Sequence, residues 1–347
     1  MRKLATIKVI DEILPIEGAD KIELVKIGGW NVVTAKDVGH KVGDSVVYCE
    51  IDSFLPIEPE FEFLRKSSFK RMGDQEGFRL KTIKLRGQVS QGLVIPLIDA
   101  INVMLRRNPR SSLPIVSSVG DDCTELLGIV KYEPPIPAQL AGLVRGNFPS
   151  FIKKTDEERI QNLHYQFLRW REEGVPFYIT EKLDGSSATF YMKDGEFGVC
   201  SRNLDLTETE GNSFWAVARK LKLEEKLKSL GRNLSLQGEL IGEGIQGNRY
   251  GIKGQDVRFF NVFDIDQFKR VSREEFFDIM DTLKLDTVPY LDLPYFLPET
   301  MSELIEFAEA KSQLNQKAER EGIVLRTADN DISFKVISNK FLLKGGE

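Results

Sequence analysis

Apolar and polar positions alternate over short stretches in the first 130 residues. Leu4–Ile10, Ile22–Ile27, Trp30–Thr34 and Ser45–Ile51 are rich in Val and Ile and are separated by turn pairs such as Gly28-Gly29 and Gly43-Asp44. A period of two bounded by glycine predicts strands. Phe78–Arg86 alternates too, but its phase slips at Thr82-Ile83, which predicts a bulge. One short helix is expected near Ile98–Arg107. Many short strands with so little helix predict a small closed β-barrel.

A proline run then interrupts the pattern. Pro134, Pro135, Pro137 and Pro149 predict an extended linker over 134–153. Beyond it, Thr155 and Glu158 have the spacing of a capping box. Ile160, Leu163, Phe167 and Leu168 would form the apolar stripe of a helix that stops before Gly174-Val175-Pro176. Strands are expected at Tyr178–Glu181, Ser187–Met192, Phe259–Ile265, Gly322–Arg326 and Ser333–Ile337, and helices over Asn212–Leu230, Ser272–Leu283 and Ser302–Arg320. The expected α+β organisation is therefore a β-barrel domain over 1–133, the linker, and a mixed domain over 154–347.

Composition narrows the class. The 347 residues carry 48 basic and 53 acidic side chains, a net charge of −5, with 41% hydrophobic residues, enough for two cores. No apolar run approaches a membrane span and the start has no signal-peptide core. Cys49, Cys123 and Cys200 are too widely spaced for a CxxC metal site, and a reducing cytoplasm is expected. With only His40 and His164, most Ser-His and Cys-His mechanisms are excluded.

The chemistry gathers in five segments. Glu181-Lys182-Leu183-Asp184-Gly185 lies where a strand gives way to a turn. Ser201-Arg202, Gln237-Gly238-Glu239-Leu240, Phe259-Phe260-Asn261-Val262-Phe263-Asp264-Ile265, and Glu321-Gly322 through to Ser333-Phe334-Lys335-Val336-Ile337 follow in order. A lysine amine must be activated before it attacks anything. Carboxylates such as Asp184, Glu239 and Glu321 suit a hard divalent cation, directly or through its waters.

As an ordered set these segments resemble the motifs of the covalent nucleotidyltransferases, the polynucleotide ligases and mRNA capping enzymes. The resemblance implies a domain of two antiparallel sheets with flanking helices, in which Lys182 attacks the α-phosphorus of ATP and becomes lysyl-AMP. It implies Mg²⁺ or Mn²⁺ near Asp184, Glu239 and Glu321, and a ribose contact from Glu239. Lys335 would hold the α-phosphate and help depress the lysine pKa, and Arg202 would contact the nucleotide or a strand phosphate. Phe260 would stack on the purine, with Phe259 and Phe263 as alternatives, and the backbone beside Glu181 would read the base edge.

The chain ends about a dozen residues after Lys335, whereas DNA ligases and capping enzymes carry an OB domain there. Here the barrel, read as an OB-fold, comes first. That order, the Lys154–Asn162 segment and the Lys-Leu-Asp-Gly core resemble the nick-sealing ATP-dependent RNA ligases of the fifth RNA ligase family. The expected partner is a nicked duplex with an RNA 3′-hydroxyl, acted on by a monomer with no membrane association. The alternatives are a DNA ligase, a GTP-dependent capping-type enzyme, or a tRNA-binding protein with an inactive transferase domain. One departure is Ile337, where some RNA ligases have a second lysine; Lys340 is the candidate substitute.

Between Arg65 and Arg86 lie eight basic residues against Asp74 and Glu76, interleaved with Phe69 and Phe78. A basic groove with aromatics suits nucleic acid. Arg71, Lys81, Lys84 and Arg86, joined by Lys154 and Arg159, are the expected phosphate contacts. Arg106, Arg107 and Arg110 form a weaker second cluster.

Overall fold

The alternating stretches near the N-terminus fold as strands Ala5–Val9, Ile22–Ile27, Trp30–Ala35 and Ser45–Cys49. Gly28-Gly29 makes a tight hairpin in which Ile27 pairs with Trp30. The helix Leu97–Arg107 buries Ala100, Val103 and Met104 in a core shared with Ile7, Val47 and Phe78. In this computed structural model residues 3–109, 118–133 and 144–344 are described. The chain divides into two compact units, Met1–Pro135 and Ile136–Gly346.

The front strands do not close into one continuous ladder. Among the described residues they are hydrogen-bonded as sheets of four, three, three and two strands. The reason lies partly in Phe78–Arg86, which is not one bulged strand. Gln75–Arg79 belongs to the four-stranded sheet, whereas Thr82–Leu85 pairs only with Gln88–Gln91. The break falls at Leu80, whose N–H donates to the Ser53 carbonyl at 2.9 Å.

The second unit holds two sheets. One has seven antiparallel strands, in the order Val144–Asn147, Leu204–Leu206, Glu196–Cys200, Ser186–Lys193, Leu234–Gly242, Gln255–Asp264 and Lys269–Arg270. The other runs Glu158–Arg159, Ser333–Ile337, Gly322–Arg326, Phe177–Lys182 and Tyr290–Tyr295. Its edge strand Glu158–Arg159 is parallel to its neighbour and the other pairs are antiparallel. Pro134, Pro135 and Pro137 lie outside the described residues. Val144–Asn147, expected within the linker, is instead an edge strand paired with Leu204–Leu206.

Three helix expectations are corrected. The Thr155/Glu158 capping box does not form. Glu158-Arg159 is strand, Ile160–Leu163 is a 3₁₀ turn, and the α-helix is only His164–Glu172. The neighbouring Glu157 is pulled into buried ion pairs with Arg270 at 2.7 Å and Arg326 at 3.2 Å, and Arg159 is drawn into register with Lys335. Leu168 is exposed, and Trp170 stacks on Phe334 in the core instead. Asn212 does cap a helix, but Lys222 turns left-handed at φ 53° and divides the segment into Ser213–Lys220 and Leu223–Ser229.

The third, Ser302–Arg320, is helical only over Met301–Ala308, started by a capping box between Thr300 and Glu303. Arg320 donates to the carbonyls of Phe307 and Ala308, so a side chain satisfies the helix end that continued helix would have satisfied. The helix expected over Ser272–Leu283 forms over Arg273–Leu283, with Ser272 as its cap.

Alternation assigns each sheet two unlike faces. In the five-stranded sheet Phe177, Ile179, Ile323, Leu325, Phe334 and Val336 pack into one core. The opposite face therefore carries Tyr178, Thr180, Lys182, Gly322, Val324, Arg326 and Lys335. In the seven-stranded sheet Ala188, Phe190, Met192, Leu234, Leu236 and Leu240 fill another core. Ser187 and Glu239 are paired on its other face. The polar faces meet: Arg326 Nη1 from one sheet approaches the Phe260 carbonyl of the other at 3.4 Å.

Candidate active site

Lys182 ends a strand of the five-stranded sheet, and Ser186 begins one of the seven-stranded sheet. The Leu183-Asp184-Gly185 turn is thus the crossing between them. The crossing is tight: a Cβ on Gly185 would lie 2.3 Å from the Leu240 carbonyl oxygen and 2.9 Å from the Glu239 Cγ. The Gly185 N–H donates to Glu239 Oε1 at 3.1 Å, and the Asp184 N–H donates to the Tyr250 hydroxyl at 2.7 Å.

Glu321 sits just before the strand whose Gly322 pairs with Lys182. Its Oε1 accepts from Lys182 Nζ at 2.6 Å. Asp184 Oδ2 meets Arg249 Nε at 2.6 Å. Lys182, Asp184, Glu239 and Glu321, far apart in sequence, are therefore one cluster, balanced by Lys182 and Arg249.

Burial and mutual repulsion mark this cluster. Burial pushes the Glu239 carboxyl up to about 8; Lys182 opposes that rise, while Glu321 and Asp184 add to it. Burial, then the charge of Glu321, pushes Asp184 up to about 6 against the pull of Arg249. For Lys182, burial favours the neutral amine, but Glu321, Glu239 and Asp184 together outweigh it and hold the amine above its ordinary value. The expected depression of the lysine pKa is thus reversed in the protein alone. Lys335 does not produce it, because three carboxylates crowd the amine.

Lys335 shares the face of Lys182, one row away, since Val324 pairs with both Thr180 and Lys335. It lies 3.4 Å from Asp156, and Arg202 approaches the same carboxylate at 3.7 Å. The two cations expected at phosphates thus converge on one acid. Phe260 is separated from Phe259 and Phe263 by a β-bulge. Gln237 pairs with Asn261 and Gly238 with Phe259, which leaves Phe260 as the extra residue. Phe259 and Phe263 are core, while Phe260 packs half-buried beside Leu183, Ile241, Tyr250 and Val288.

Glu181 is buried, and burial raises its carboxyl. Its Oε2 accepts from the Gln313 N–H, and its own N–H donates to the Pro289 carbonyl. That N–H is therefore already bonded within the protein. Lys154 donates to Asn203 Oδ1 at 2.9 Å, and Arg159 is buried, only 5% exposed. Ile337 is buried with Phe341 and Leu342, and Lys340 pairs with Glu309 at 3.2 Å, away from the carboxylate cluster.

In the front unit Arg71 pairs with Glu76 at 2.6 Å and Arg65 with Glu62 at 2.6 Å. Arg106 is paired with Glu58 and Glu60 and Arg107 with Glu58, so these two members of the second basic cluster are neutralised, while Arg110 lies outside the described residues. Lys84 and Arg86 project from the Thr82–Gln91 hairpin, exposed and without an ion pair to any described residue; Lys81, also exposed, precedes it.

Arg249, Tyr250, Asp156, Glu157 and Arg326 were not singled out by sequence. Arg249 and Tyr250 had a faint signal in the Gly-rich Gly247-Asn248-Arg249-Tyr250-Gly251 turn.

A family model for RNA ligase matches residues 175–337, and one for an OB-fold domain matches residues 4–97. No curated protein matches the chain. Among solved structures, Naegleria gruberi RNA ligase is similar. A glutamate-to-alanine variant with AMP and Mn is 43% identical, with TM-score 0.88 and 98% of each chain covered. A lysine-to-alanine variant with ATP and Mn has TM-score 0.87 at the same identity and coverage. The form with PPi has TM-score 0.87, covering 99% of this chain and 98% of that one, again at 43% identity. Identity at this level across nearly the full length, on top of the motif geometry, means that this chain belongs to the RNA ligase family.

Proposed function

We propose that this chain is an ATP-dependent RNA ligase that seals 3′-hydroxyl/5′-phosphate nicks in duplexes through lysyl-AMP. The observation that carries the reading is the Lys182 amine, 2.6 Å from Glu321 among the carboxylates of Asp184 and Glu239. The ATP, AMP and Mn held by the Naegleria relatives support ATP as substrate and a divalent metal.

In step one the Lys182 nitrogen forms a bond to the α-phosphorus as the bond to the bridging oxygen breaks. Pyrophosphate leaves with that electron pair; the Lys182 ammonium loses one proton to solvent before the attack and a second as the phosphoramidate forms. Phe260, beside the apolar patch around Leu183, would take the purine face. Lys335 and Arg202 would exchange Asp156 for phosphate oxygens. The acids offer only hard oxygen donors. Among the described residues no three of them converge on a single ion-sized site, so Asp184, Glu239 and Glu321 would hold Mg²⁺ or Mn²⁺ largely through water. Such an ion supplies the positive charge that offsets the phosphates and reverses the field on the amine.

In step two AMP passes from Lys182 to a 5′-phosphate. In step three a 3′-hydroxyl attacks that phosphate and AMP leaves. The test is a nicked duplex supplied with ATP and Mn²⁺, with a ribonucleotide or a deoxynucleotide at the 3′-hydroxyl. Sealing is expected with the ribonucleotide only; equal sealing of both would overturn the RNA specificity.

Two further outcomes are expected. Gly185→Ala should slow lysine labelling by about 100-fold, because the close approach to Leu240 forces the turn aside by an ångström or so. Single-turnover rates check this, with circular dichroism confirming the fold. We also read residues 1–133 as the RNA-gripping domain. Replacing Lys81, Lys84 and Arg86 together by alanine should weaken nick binding and flatten its salt dependence by up to three charges. Arg71, already paired with Glu76, should add little. Identical slopes across a salt series would mean that the hairpin does not meet the phosphates.

A further inference from the structure

Arg249 comes from a backbone that is unusual in its own right. Gln246, Gly247 and Asn248 are all left-handed, with φ of 44°, 66° and 48°. For Gln246 and Asn248, the two side-chain-bearing residues that flank the glycine, that conformation costs energy and persists only where surroundings enforce it. Here they do. The Asn248 side chain donates to the Ile252 carbonyl at 2.9 Å and accepts the Ile252 N–H at 3.0 Å. Asn315 Nδ2 donates to the Arg249 carbonyl at 2.7 Å.

The side chain is fixed as firmly as the backbone. The guanidinium lies over the Phe341 ring, 4.8 Å from its centroid, and its Nε meets Asp184 Oδ2 at 2.6 Å. The next residue, Tyr250, accepts the Asp184 N–H. One strained turn thus grips the same aspartate by its backbone and by its carboxylate.

We propose that Arg249 is a resident cation of the carboxylate cluster, with which a divalent metal must compete for Asp184. The inference rests on the reading of Asp184 as facing that metal. Arg249 is in this sense a positioning residue: it holds Asp184 in place and sets how tightly the cluster takes a cation.

The experiment measures Mn²⁺ binding to the full-length protein without nucleotide, from the free Mn²⁺ signal in electron paramagnetic resonance. Arg249→Gln is expected to tighten Mn²⁺ binding by roughly tenfold, since a full charge in direct contact with Asp184 is removed. Arg249→Lys should tighten it clearly less than Arg249→Gln, because the charge remains although the guanidinium stacked on Phe341 is lost. In an Asp184→Asn background the Arg249→Gln effect should vanish, as the two residues are coupled. A merely structural role would loosen the cluster and weaken Mn²⁺ binding, the opposite sign.

Unchanged or weaker binding by Arg249→Gln overturns the proposal, as does the absence of saturable Mn²⁺ uptake by parent and variant alike. If Asp184→Asn alone leaves Mn²⁺ binding unchanged, the reading of Asp184 fails. If that variant weakens binding but Arg249→Gln does not tighten it, only the resident-cation role fails. Should Arg249→Gln not fold, Phe341→Leu decides in the same way: it removes the ring under the guanidinium and should tighten Mn²⁺ binding by a smaller factor.

Discussion

Replacing Lys182 by alanine is expected to abolish covalent labelling of the protein by ATP while leaving its fold intact. The side chain ends a strand whose packing comes from the other face, where Phe177 and Ile179 point into the core. Removing the amine therefore opens no core cavity. It does leave Glu321 without its 2.6 Å partner, in a site where burial already works against the acids around it. The variant should then bind a divalent cation at least as well as the parent, yet form no adduct. Lys182→Arg should fail as completely, because a guanidinium stays charged and offers no lone pair. Such a variant should still join a nick whose 5′-phosphate is already adenylylated, since step three does not use the amine. Labelling of Lys182→Ala at the parental level would show that another nucleophile carries the AMP.

The parts of this site that were legible in the sequence are those set by the order of short motifs. Lys182 ends a strand, Glu321 directly precedes one and Glu239 lies within Leu234–Gly242, and the strands Gly322–Arg326 and Ser333–Ile337 fall where the alternation put them. Helix starts were legible where they were uncontested, as at Ser272 and Asn212, whereas cap spacing was a weaker guide. It misled where a tertiary partner offered more. Thr155 and Glu158 have the spacing of a cap, but the buried pairs of Glu157 with Arg270 and Arg326 claim the adjacent backbone, and breaking such pairs would cost about 3–5 kcal/mol against about 1 kcal/mol for a cap.

The same logic ended the third helix early. Arg320 bonds the carbonyls of the helix end, and Glu181 takes the Gln313 N–H, so the residues after Ala308 are worth more as a loop. Arg249 was hidden for a different reason. Its importance lies in a contact across 65 residues of sequence, held by a left-handed turn that has no periodicity to read. The choice of Phe260 over Phe259 and Phe263 was likewise unreadable, because it depends on a bulge and so on the pairing register of two strands.

Glu239→Gln and Glu321→Gln should each lower the single-turnover rate of lysine labelling by about 100-fold or more, the scale on which loss of one transition-state stabilising group acts. The two should differ in their dependence on pH. Glu239 has its carboxyl pushed up to about 8, so at neutral pH in the protein alone most of it carries a proton. A cation held by this acid must displace that proton, and the two compete. At limiting Mn²⁺ the parental rate should therefore climb as pH rises from about 6 towards 9, because deprotonation strengthens the acid as a donor. Burial raises the carboxyl and the nearby acids raise it further, and together they outweigh the opposing pull of Lys182, so the net shift is upward. Saturating metal should shift the climb to lower pH by displacing the proton directly. In Glu239→Gln the amide does not titrate in this range, and the part of the climb that depends on metal concentration should disappear, leaving the deprotonation of Lys182 as the remaining slope. The measurement is a set of quenched-flow labelling rates at several pH values and two Mn²⁺ concentrations. A Glu239→Gln protein that retains the parental rate, or keeps a metal-dependent pH slope, would show that the proton in question resides elsewhere.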